Sequence, residues 1–357
     1  MAANFADVEA KLPQRYTKVE MTFIDKKSSR RDLTEYVSNI ADLIGLDGKP
    51  GSDPEARRRI KERLKPFVMA TAPRRTMVIQ GEPNLMPIDS LRKLYLGPSN
   101  RSGISSQLML TGGSDNAAGK TVVYTSDENL YPDLRSKTRF IGPEGWAIIS
   151  DIDDTIKITQ TTNPIGILQS TFADVPRTTT SMPGFYKLLD DTFRSPAWFY
   201  LSASPYNLYP FLHDFIKKNY PPGTIILRDA SWMNFAGLLQ SFTQGVQEYK
   251  TNRIEKIQSW LPKRKFICIG DSTQSDPEAY AQMYTKYPGW IKAIYIRKVT
   301  DTPNMANKNR NQRFTDAFKN VPDHVWRVFV QPEELTDHVE HVSGQAHAGV
   351  PSNLLGL

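Results

Sequence analysis

Three aspartates lie within four positions of the segment WAIISDIDDTIKIT (146–159), directly after a short apolar run. At a separation of about 4 Å, each like-charged pair costs on the order of 4 kcal/mol near a protein surface. A folded chain tolerates that repulsion only with a compensating cation nearby or with a shared proton. Asp151 and Asp153 are two residues apart, so both side chains can point to one side of a strand end. A hard divalent cation such as Mg²⁺, which prefers oxygen ligands, would neutralise them.

A helix N-cap or a turn built from Asp and Thr is the simpler explanation of an isolated pair of aspartates. That explanation is weaker here because no helical pattern follows Thr155. Polar residues also recur at the ends of later apolar runs, which indicates that several strand ends contribute to one site.

Two of these later segments carry residues suited to binding a phosphate. In WFYLSASPYNLYPF (198–211), Ser202 closes an apolar run. Its hydroxyl and the backbone N–H groups of the turn, including that of Ala203, could donate to phosphate oxygens. Lys250, in QEYKTNRIEKI, is a mobile point charge suited to a transferring phosphoryl group. Most lysines on helices are simply solvated, and Lys256 is an alternative candidate for the same role.

The segment KFICIGDSTQSDPEAY (265–280) supplies two more carboxylates. A buried strand ends in Gly270-Asp271, which predicts a carboxylate at the same edge of the sheet. Asp276 precedes Pro277, a favourable first helical residue, so Asp276 has an alternative role as a helix N-cap. Cys268 lies inside the strand and is predicted to be an inert core residue.

A parallel sheet would bring these residues together. From residue 145 onward, apolar runs predict strands at 146–149, 197–201, 224–227, 266–270, 291–296 and 325–330. Helical spacing between them predicts helices at 184–193, 208–219 and 252–261. Strands that alternate with such helices form an α/β fold with a parallel sheet covered on both faces. Ligands bind such sheets at the carboxyl ends of the strands, at the point where strand order reverses.

The first 144 residues are predicted to form a β-rich accessory domain with some helix. Predicted strands lie at 16–24, 67–80, 105–113 and 120–126, and predicted helices at 32–45 and 54–65. The expected domains are therefore 1–144 (accessory), 145–335 (catalytic) and 336–357 (flexible tail). The segment GGSDNAAGKT (112–121) resembles a phosphate-binding loop, but its glycine spacing is wrong and a strand pattern follows where that motif needs a helix.

Composition indicates a globular protein with anionic partners. The 357 residues are 39% hydrophobic and 23% charged, with a formal net charge of +7. Basic residues cluster at 25–31, 56–65, 73–75 and 261–265. Solvated surface, an anionic membrane face or nucleic acid could explain them, and nucleic acid is the weakest explanation because no recognition motif accompanies the charge. The single cysteine suits a reducing compartment, and no signal peptide or transmembrane segment is predicted.

The four elements DIDDT, YLSASP, the lysine of EYK and IGDSTQSD resemble, in this order, the four motifs of the haloacid-dehalogenase superfamily of phosphatases. More narrowly, SDIDDTIKIT, YLSASPYNLYPFL, ILRD and GDSTQSDPEAY resemble the actin-patch type of phosphatidate phosphatase. The resemblance covers roughly 145–335. It implies a Rossmann-like catalytic sheet, Mg²⁺, phosphatidate in an anionic membrane surface as the substrate, and a cytoplasmic, peripheral-membrane protein at cortical actin patches, with cortical actin-associated proteins as partners.

The resemblance also implies residue roles. Asp151 would be the nucleophile, and Asp153 the acid for the leaving group and then the base for water. Ser202, Ala203 and Lys250 would hold the phosphoryl oxygens, and Thr155 would orient the loop. Mg²⁺ would be held by the residues Asp151, Asp153 (through its carbonyl), Asp271 and Asp276.

Two other functions remain open at this point. One is a phosphomonoesterase for a soluble or protein-bound phosphate. The other is a cortical membrane or actin-associated scaffold in which the phosphatase site is incidental. The presence of all four aspartates argues against it, because a site that had lost its activity would not need them.

Overall fold

The computed structural model describes most of the chain. The described residues are 2–5, 8–11, 16–25, 33–46, 53–68, 70–81, 93–110, 119–126, 135–228 and 244–347. The segment 112–121, which resembles a phosphate-binding loop in sequence, lies mostly outside the described residues. Only its last three residues are described, and strand β8 begins at Thr121.

The first part of the chain forms a nine-stranded sheet that is antiparallel except for one pair of strands. Its strands are β1 (Ala2–Phe5), β2 (Val8–Lys11), β3 (Tyr16–Asp25), β4 (Ala70–Thr71), β5 (Met77–Gly81), β6 (Lys93–Leu96), β7 (Ile104–Leu110), β8 (Thr121–Ser126) and β9 (Arg135–Ile141). The main path runs β1-β3-β2-β9-β8-β5-β6, with β4 and β7 on β3. The parallel pair is β2 with β9. The sequence predicts β3, β7 and β8 but misses β1, β2, β6 and β9.

The single strand predicted at 67–80 is wrong. Helix α2 (Pro54–Val68) extends into it, β4 takes only two residues, and β5 begins at Met77. Pro73 cannot donate to a neighbouring strand, and Arg74 has a φ of 57°, in the left-handed region. Both features end a strand, so the apolar run on either side belongs to different elements.

Helices α1 (Leu33–Leu43) and α2 confirm the two helices predicted in this region. Both pack on the second part of the chain. Ile40, Ile60 and Leu64 lie in one hydrophobic cluster with Phe172 of that part. The Arg63 guanidinium donates to the Thr171 carbonyl at 3.0 Å. The domain boundary at 144 stays a prediction, but these two helices share a core with the residues beyond it.

The second part of the chain contains a six-stranded sheet in which every neighbouring pair is parallel. Its strands are β10 (Trp146–Asp151), β11 (Ala197–Pro205), β12 (Thr224–Arg228), β13 (Lys265–Asp271), β14 (Ile291–Arg297) and β15 (Trp326–Phe329). All six strands predicted for this part are confirmed. Their spatial order is β12-β11-β10-β13-β14-β15. The order reverses between β10 and β13, which is the switch point of a doubly wound sheet.

Helices cover this sheet. They are α3 (Pro164–Leu168), α4 (Met182–Thr192), α5 (Tyr209–Asn219), α6 (Val246–Trp260), α7 (Asp276–Lys286), α8 (Asn311–Ala317) and α9 (Thr336–His347). A π-helical turn at 169–173 follows α3. The three helices predicted here are confirmed, with α6 beginning at Val246 rather than at residue 252. Within the part of the chain that is described, every helix is too short or too polar to cross a bilayer.

The flexible tail predicted from residue 336 is wrong in its first half. Helix α9 continues to His347, and its residues Val339 and Val342 are buried in the same cluster as Phe185 of α4. The two valines stand three positions apart, which gives a short apolar stripe that packs on the sheet layer. Residues 348–357 of the predicted tail lie outside the described residues.

Candidate active site

The tips of β10 and β13 meet at the switch point. The register pairs Ser150 with Ile269, so Asp151 and Asp271 emerge at the same edge of the sheet. The Thr155 hydroxyl lies 3.0 Å from Asp151 Oδ2 and 3.1 Å from Asp271 Oδ2. One hydroxyl thus lies between two carboxylates. Both strands are largely apolar because helices cover the sheet on both faces. Burial of these strands in the core holds Asp151 and Asp271 in place at the strand ends.

Lys250 reaches Asp151 from helix α6. Its ammonium is 2.6 Å from Asp151 Oδ1 and also contacts Asp276 Oδ1. The side chain is fully buried. Lys256, the alternative candidate, lies more than one turn further along α6 and is only partly buried. Of the two lysines, Lys250 is the one at the carboxylates.

Asp276 belongs to the cluster and is not the helix cap. Ser275 occupies the N-cap position of α7, and Asp276 is the first helical residue. Its Oδ2 accepts the backbone N–H of Asp271 at 3.1 Å. A Cβ at Gly270 would lie 2.5 Å from that same oxygen, closer than any real contact. A glycine is therefore required before Asp271 so that the Asp276 carboxylate can approach the strand.

Burial controls the electrostatics of this cluster. Asp151, Asp271 and Asp276 each place a carboxylate oxygen within 4.8 Å of the others. Burial raises the pKa of Asp271 to about 7, with added repulsion from Asp276 and Asp154. Burial likewise raises the pKa of Asp151 well above its usual value. Burial alone would lower the pKa of Lys250, but Asp151 and Asp276 outweigh it and raise that pKa above its usual value.

When all three buried carboxylates are ionised, the single ammonium leaves a net charge of −2, and the raised pKa values of Asp151 and Asp271 reflect the cost of that charge without a cation. Oxygen donors with that excess charge suit a hard divalent cation. We call Asp151, Asp271, Asp276, Lys250 and Thr155 the cation half of the site.

Asp153 lies outside this triad and makes a second set of contacts. Its Oδ2 accepts from Ser202 Oγ at 2.6 Å and from Ser204 Oγ at 3.3 Å. Its Oδ1 accepts from Thr159 Oγ1 at 2.8 Å. Ser202 and Ser204 alternate along β11, and Ala203 lies buried between them. The phosphate-binding roles of Ser202 and Ala203 and the cation contact of the Asp153 carbonyl stay predictions.

Sequence reasoning missed the function of the third aspartate. Asp154 has a φ of 62°, and its carboxylate organises the following loop. It accepts the backbone N–H groups of Thr159, Gln160 and Thr161 at 2.7–2.8 Å, and also the Thr161 hydroxyl. The available signal was a third acid followed by threonines in IKITQTT. This acid closes the loop that carries Thr159 to Asp153.

Lys157 was also missed. It is only 1% exposed, and its ammonium lies 2.7 Å from Thr159 Oγ1 and 3.9 Å from Asp153 Oδ1. Burial lowers its pKa, while Asp153 and Asp154 oppose that effect. We call Asp153, Lys157, Thr159, Ser202 and Ser204 the acid half of the site.

Comparison with known proteins agrees with the family resemblance. Residues 146–298 match the family described as phosphatidate phosphatase APP1, catalytic domain. The chain is 31% identical over 271 residues to phosphatidate phosphatase APP1 of Saccharomyces cerevisiae, which covers 71% of this chain and 43% of that protein. It is 29% identical over 182 residues to an uncharacterized protein of Schizosaccharomyces pombe, which covers 49% of this chain and 29% of that protein. The chain thus spans less than half the length of the curated relatives it matches. Residues 146–298, which hold both halves of the site, thus match the catalytic domain of the APP1-type phosphatidate phosphatase family.

Proposed function

We propose that this chain is a Mg²⁺-dependent phosphatidate phosphatase, which hydrolyses phosphatidate to diacylglycerol and phosphate through an aspartyl-phosphate. The observation that carries the proposal is the position of Asp151, whose carboxylate contacts Lys250 and Thr155 beside two further buried carboxylates. Phosphoryl transfer depends mainly on positioning and on charge neutralisation, which suits this arrangement. The named activity of the yeast relative supports the lipid substrate.

The haloacid-dehalogenase fold is part of this proposal. It is supported by the reversal of strand order between β10 and β13 and by the four motif positions around that point. Asp151 ends the first strand, Ser202 lies near the end of its neighbour, Lys250 is on a preceding helix, and Asp271 ends the fourth strand along the chain.

In the first half-reaction, an oxygen of Asp151 attacks phosphorus and forms a new P–O bond. The bond between phosphorus and the glycerol oxygen breaks, and its electron pair stays on that oxygen. Asp153 donates its proton to this oxygen, so diacylglycerol leaves as a neutral alcohol. Lys250 and the Ser202 hydroxyl hold the phosphoryl oxygens while charge moves.

In the second half-reaction, water attacks the phosphorus of the aspartyl-phosphate. Asp153, now a carboxylate, takes the proton of that water. The bond between phosphorus and Asp151 breaks, which releases inorganic phosphate and restores the Asp151 carboxylate. One acid thus serves both steps and returns to its starting form.

Asp151, Asp271 and Asp276, with the Asp153 carbonyl, would hold the Mg²⁺ ion. When bound, Mg²⁺ would neutralise the excess charge of the cation half and polarise a phosphoryl oxygen. The donor set supports this assignment because its oxygens are buried and, when ionised, carry two more negative charges than the single ammonium neutralises.

The phosphatidate substrate requires contact with an anionic membrane surface. Helix α2 supports that partner because Lys61 and Lys65 are exposed on it, one helical turn apart. Binding to anionic liposomes should weaken steeply between low and physiological salt, because each basic residue near a lipid surface is worth about 1 kcal/mol and is screened. Liposome binding that does not change with salt would show that the basic clusters of the sequence are not the membrane contact. A cytoplasmic location at cortical actin patches, with actin-associated partners, stays a prediction from the family resemblance.

The decisive experiment measures phosphate release from phosphatidate in mixed micelles, with and without Mg²⁺, for the wild-type chain and for Asp153→Asn. We expect Mg²⁺-dependent release by the wild type and a loss of about 10²- to 10⁴-fold in the variant. A panel of soluble phosphate esters serves as the control. Faster release from those esters than from phosphatidate would assign the site to a soluble phosphomonoester instead.

A further inference from the structure

Lys157 has no role in the reaction as described above, although it is a cationic side chain that the fold buries beside Asp153. Its ammonium makes its short contact with Thr159 Oγ1, at 2.7 Å, and stays 3.9 Å from Asp153 Oδ1. Burying an ammonium is costly unless it is paired and hydrogen-bonded. A side chain that only filled space here could be apolar, so the charge itself requires an explanation.

The contacts of Thr159 give that explanation. The ammonium of Lys157 has only donors, so it donates into the oxygen of Thr159. The hydroxyl has a single proton, and its nearest remaining acceptor is Asp153 Oδ1 at 2.8 Å, against 3.3 Å for the Lys157 carbonyl. Lys157 therefore directs the Thr159 proton toward Oδ1 of Asp153.

The opposite side of Lys157 is closed. Its ammonium lies 5.7 Å from the centre of the Phe211 ring, and the guanidinium of Arg63 lies 4.3 Å from the same ring. Phe211 belongs to α5 and Arg63 to α2, so helices from both parts of the chain pack behind the lysine. The ammonium is thus held between an aromatic ring and the Thr159 hydroxyl.

We propose that Lys157 is a positioning residue that acts through Thr159 to hold Asp153 with Oδ1 as a fixed acceptor and Oδ2 toward Ser202. The inference rests on the function proposed above. Both oxygens of Asp153 accept from hydroxyls, but Thr159 receives the Lys157 ammonium and therefore stays a donor to Oδ1. The Ser202 and Ser204 hydroxyls beside Oδ2 can rotate and accept instead, so the transferable proton of Asp153 sits on Oδ2, beside the predicted phosphate-binding serine. That proton moves to the ester oxygen as the P–O bond breaks and the electron pair stays on the leaving group.

A change of leaving group separates this role from a structural one. The two substrates are dioctanoyl phosphatidate and its analogue in which sulfur replaces the bridging ester oxygen. A thiol has a pKa of about 8.5, so a thiolate leaves with little help from an acid, whereas an alkoxide needs it. A variant that misplaces only the acid should therefore fail on the oxygen ester and work on the sulfur ester.

The variants are Lys157→Met and Thr159→Val, with Thr159→Ser as the conservative partner and Lys187→Met as the exposed charge-removal control. Thr159→Val removes the hydroxyl, while the backbone N–H at that position still reaches Asp154. We expect kcat on the oxygen ester to fall about 10²-fold in both test variants, with a change of less than about 5-fold on the sulfur ester. Thr159→Ser should restore most of the lost activity, and Lys187→Met should match the wild type on both esters.

The outcomes distinguish the two proposals. Equal losses on both esters, in both test variants, would overturn the role of Lys157. The proposed function would still stand, because it depends on the activity of the wild-type chain. Retention of full oxygen-ester activity by Thr159→Val would overturn it as well. A wild-type chain that releases no phosphate from phosphatidate would overturn the proposed function and this inference with it.

Discussion

The two halves of the site treat buried charge differently. In the cation half, Lys250 contacts two carboxylates directly, and a third lies close by. In the acid half, the Lys157 ammonium stays 3.9 Å from Asp153 Oδ1 and reaches that carboxylate through the Thr159 hydroxyl. Both lysines are buried, but Lys157 belongs to the loop that follows β10 whereas Lys250 belongs to α6.

The difference indicates where a cation belongs. The cation half keeps an excess negative charge, which a divalent ion would neutralise. The acid half is balanced by its own lysine and by hydroxyl donors, so it needs no ion. A carboxylate that must carry a proton during the reaction is better placed in the balanced half, because a bound divalent cation would favour its ionised form. Four predictions test this division.

The largest effect is expected for Asp151→Asn. The amide cannot attack phosphorus, so phosphate release should fall by about 10⁴-fold or more, and no phosphoenzyme should form. Acid-quench trapping of labelled phosphatidate measures the covalent intermediate. Asp153→Asn provides the contrast, because it keeps the nucleophile and should still form a phosphoenzyme slowly. Labelled phosphoenzyme in Asp151→Asn would place the nucleophile elsewhere.

Gly270→Ala should damage the cation half alone. The new Cβ would meet Asp276 Oδ2 at 2.5 Å, so that carboxylate must move. We expect the Mg²⁺ concentration for half-maximal activity to rise about 10- to 100-fold, as for other changes that disturb the support of metal ligands. Gly184→Ala is the matched control, since nothing lies within 4 Å of its Cβ. An unchanged Mg²⁺ requirement would remove Asp276 from the cation half.

Asp154→Asn should weaken the loop that joins the two halves. Asp154 is buried, and its two carboxylate oxygens accept from backbone N–H groups and a hydroxyl. In the variant, the amide NH₂ replaces one of these oxygens and cannot accept, so the loop donors that faced that oxygen lose their acceptor. The free energy of unfolding should fall by about 1–3 kcal/mol, measured by urea titration. Asp191→Asn, at an exposed site in α4, is the control. A loss no larger than that of the control would contradict the assigned role of Asp154.

The smallest effect concerns pH and the metal-free protein. The pKa of Asp271 is about 7 in the folded chain, against an ordinary value of 3.8, so the folded state binds more protons between these limits. Metal-free stability should therefore decrease as pH rises from about 4 to 7. Mg²⁺ competes with that proton, so the rise in Tm on adding Mg²⁺ should be larger at about pH 8 than at about pH 6. Calorimetry measures both, and a larger Mg²⁺ effect at the lower pH would contradict the assignment.

Local sequence patterns predicted the parallel-sheet part of the fold well. Its strands are continuous apolar runs such as WAII and FICIG, which mark burial on both faces without knowledge of the neighbours. The antiparallel part was harder, because β6 has only four residues and β9, with the sequence RSKTRFI, is mostly polar. The run at 67–80 was misread because one apolar stretch is divided between a helix and a strand at Pro73 and Arg74.

The carboxylates of the cation half were identified from sequence because each ends a buried strand or opens a helix. Asp151 and Asp271 end apolar runs, so the doubly wound topology alone brings them to one edge. Lys250 could not be separated from Lys256 in this way. The choice depends on which turn of α6 faces the strand ends, and helical spacing does not give that rotation.

The acid half depended on tertiary structure. Lys157 and Thr159 read as part of an apolar-polar run, and nothing in their order shows that a positive φ at Asp154 folds the loop back on Asp153. The sequence by itself determined the elements and the chemical types at their ends, because propensity and periodicity act within a few residues. Only the folded chain decided which lysine meets which carboxylate. Lys250 and Asp151 are far apart in the chain, and Lys157 lies near Asp153 because a single turn at Asp154 folds the loop back.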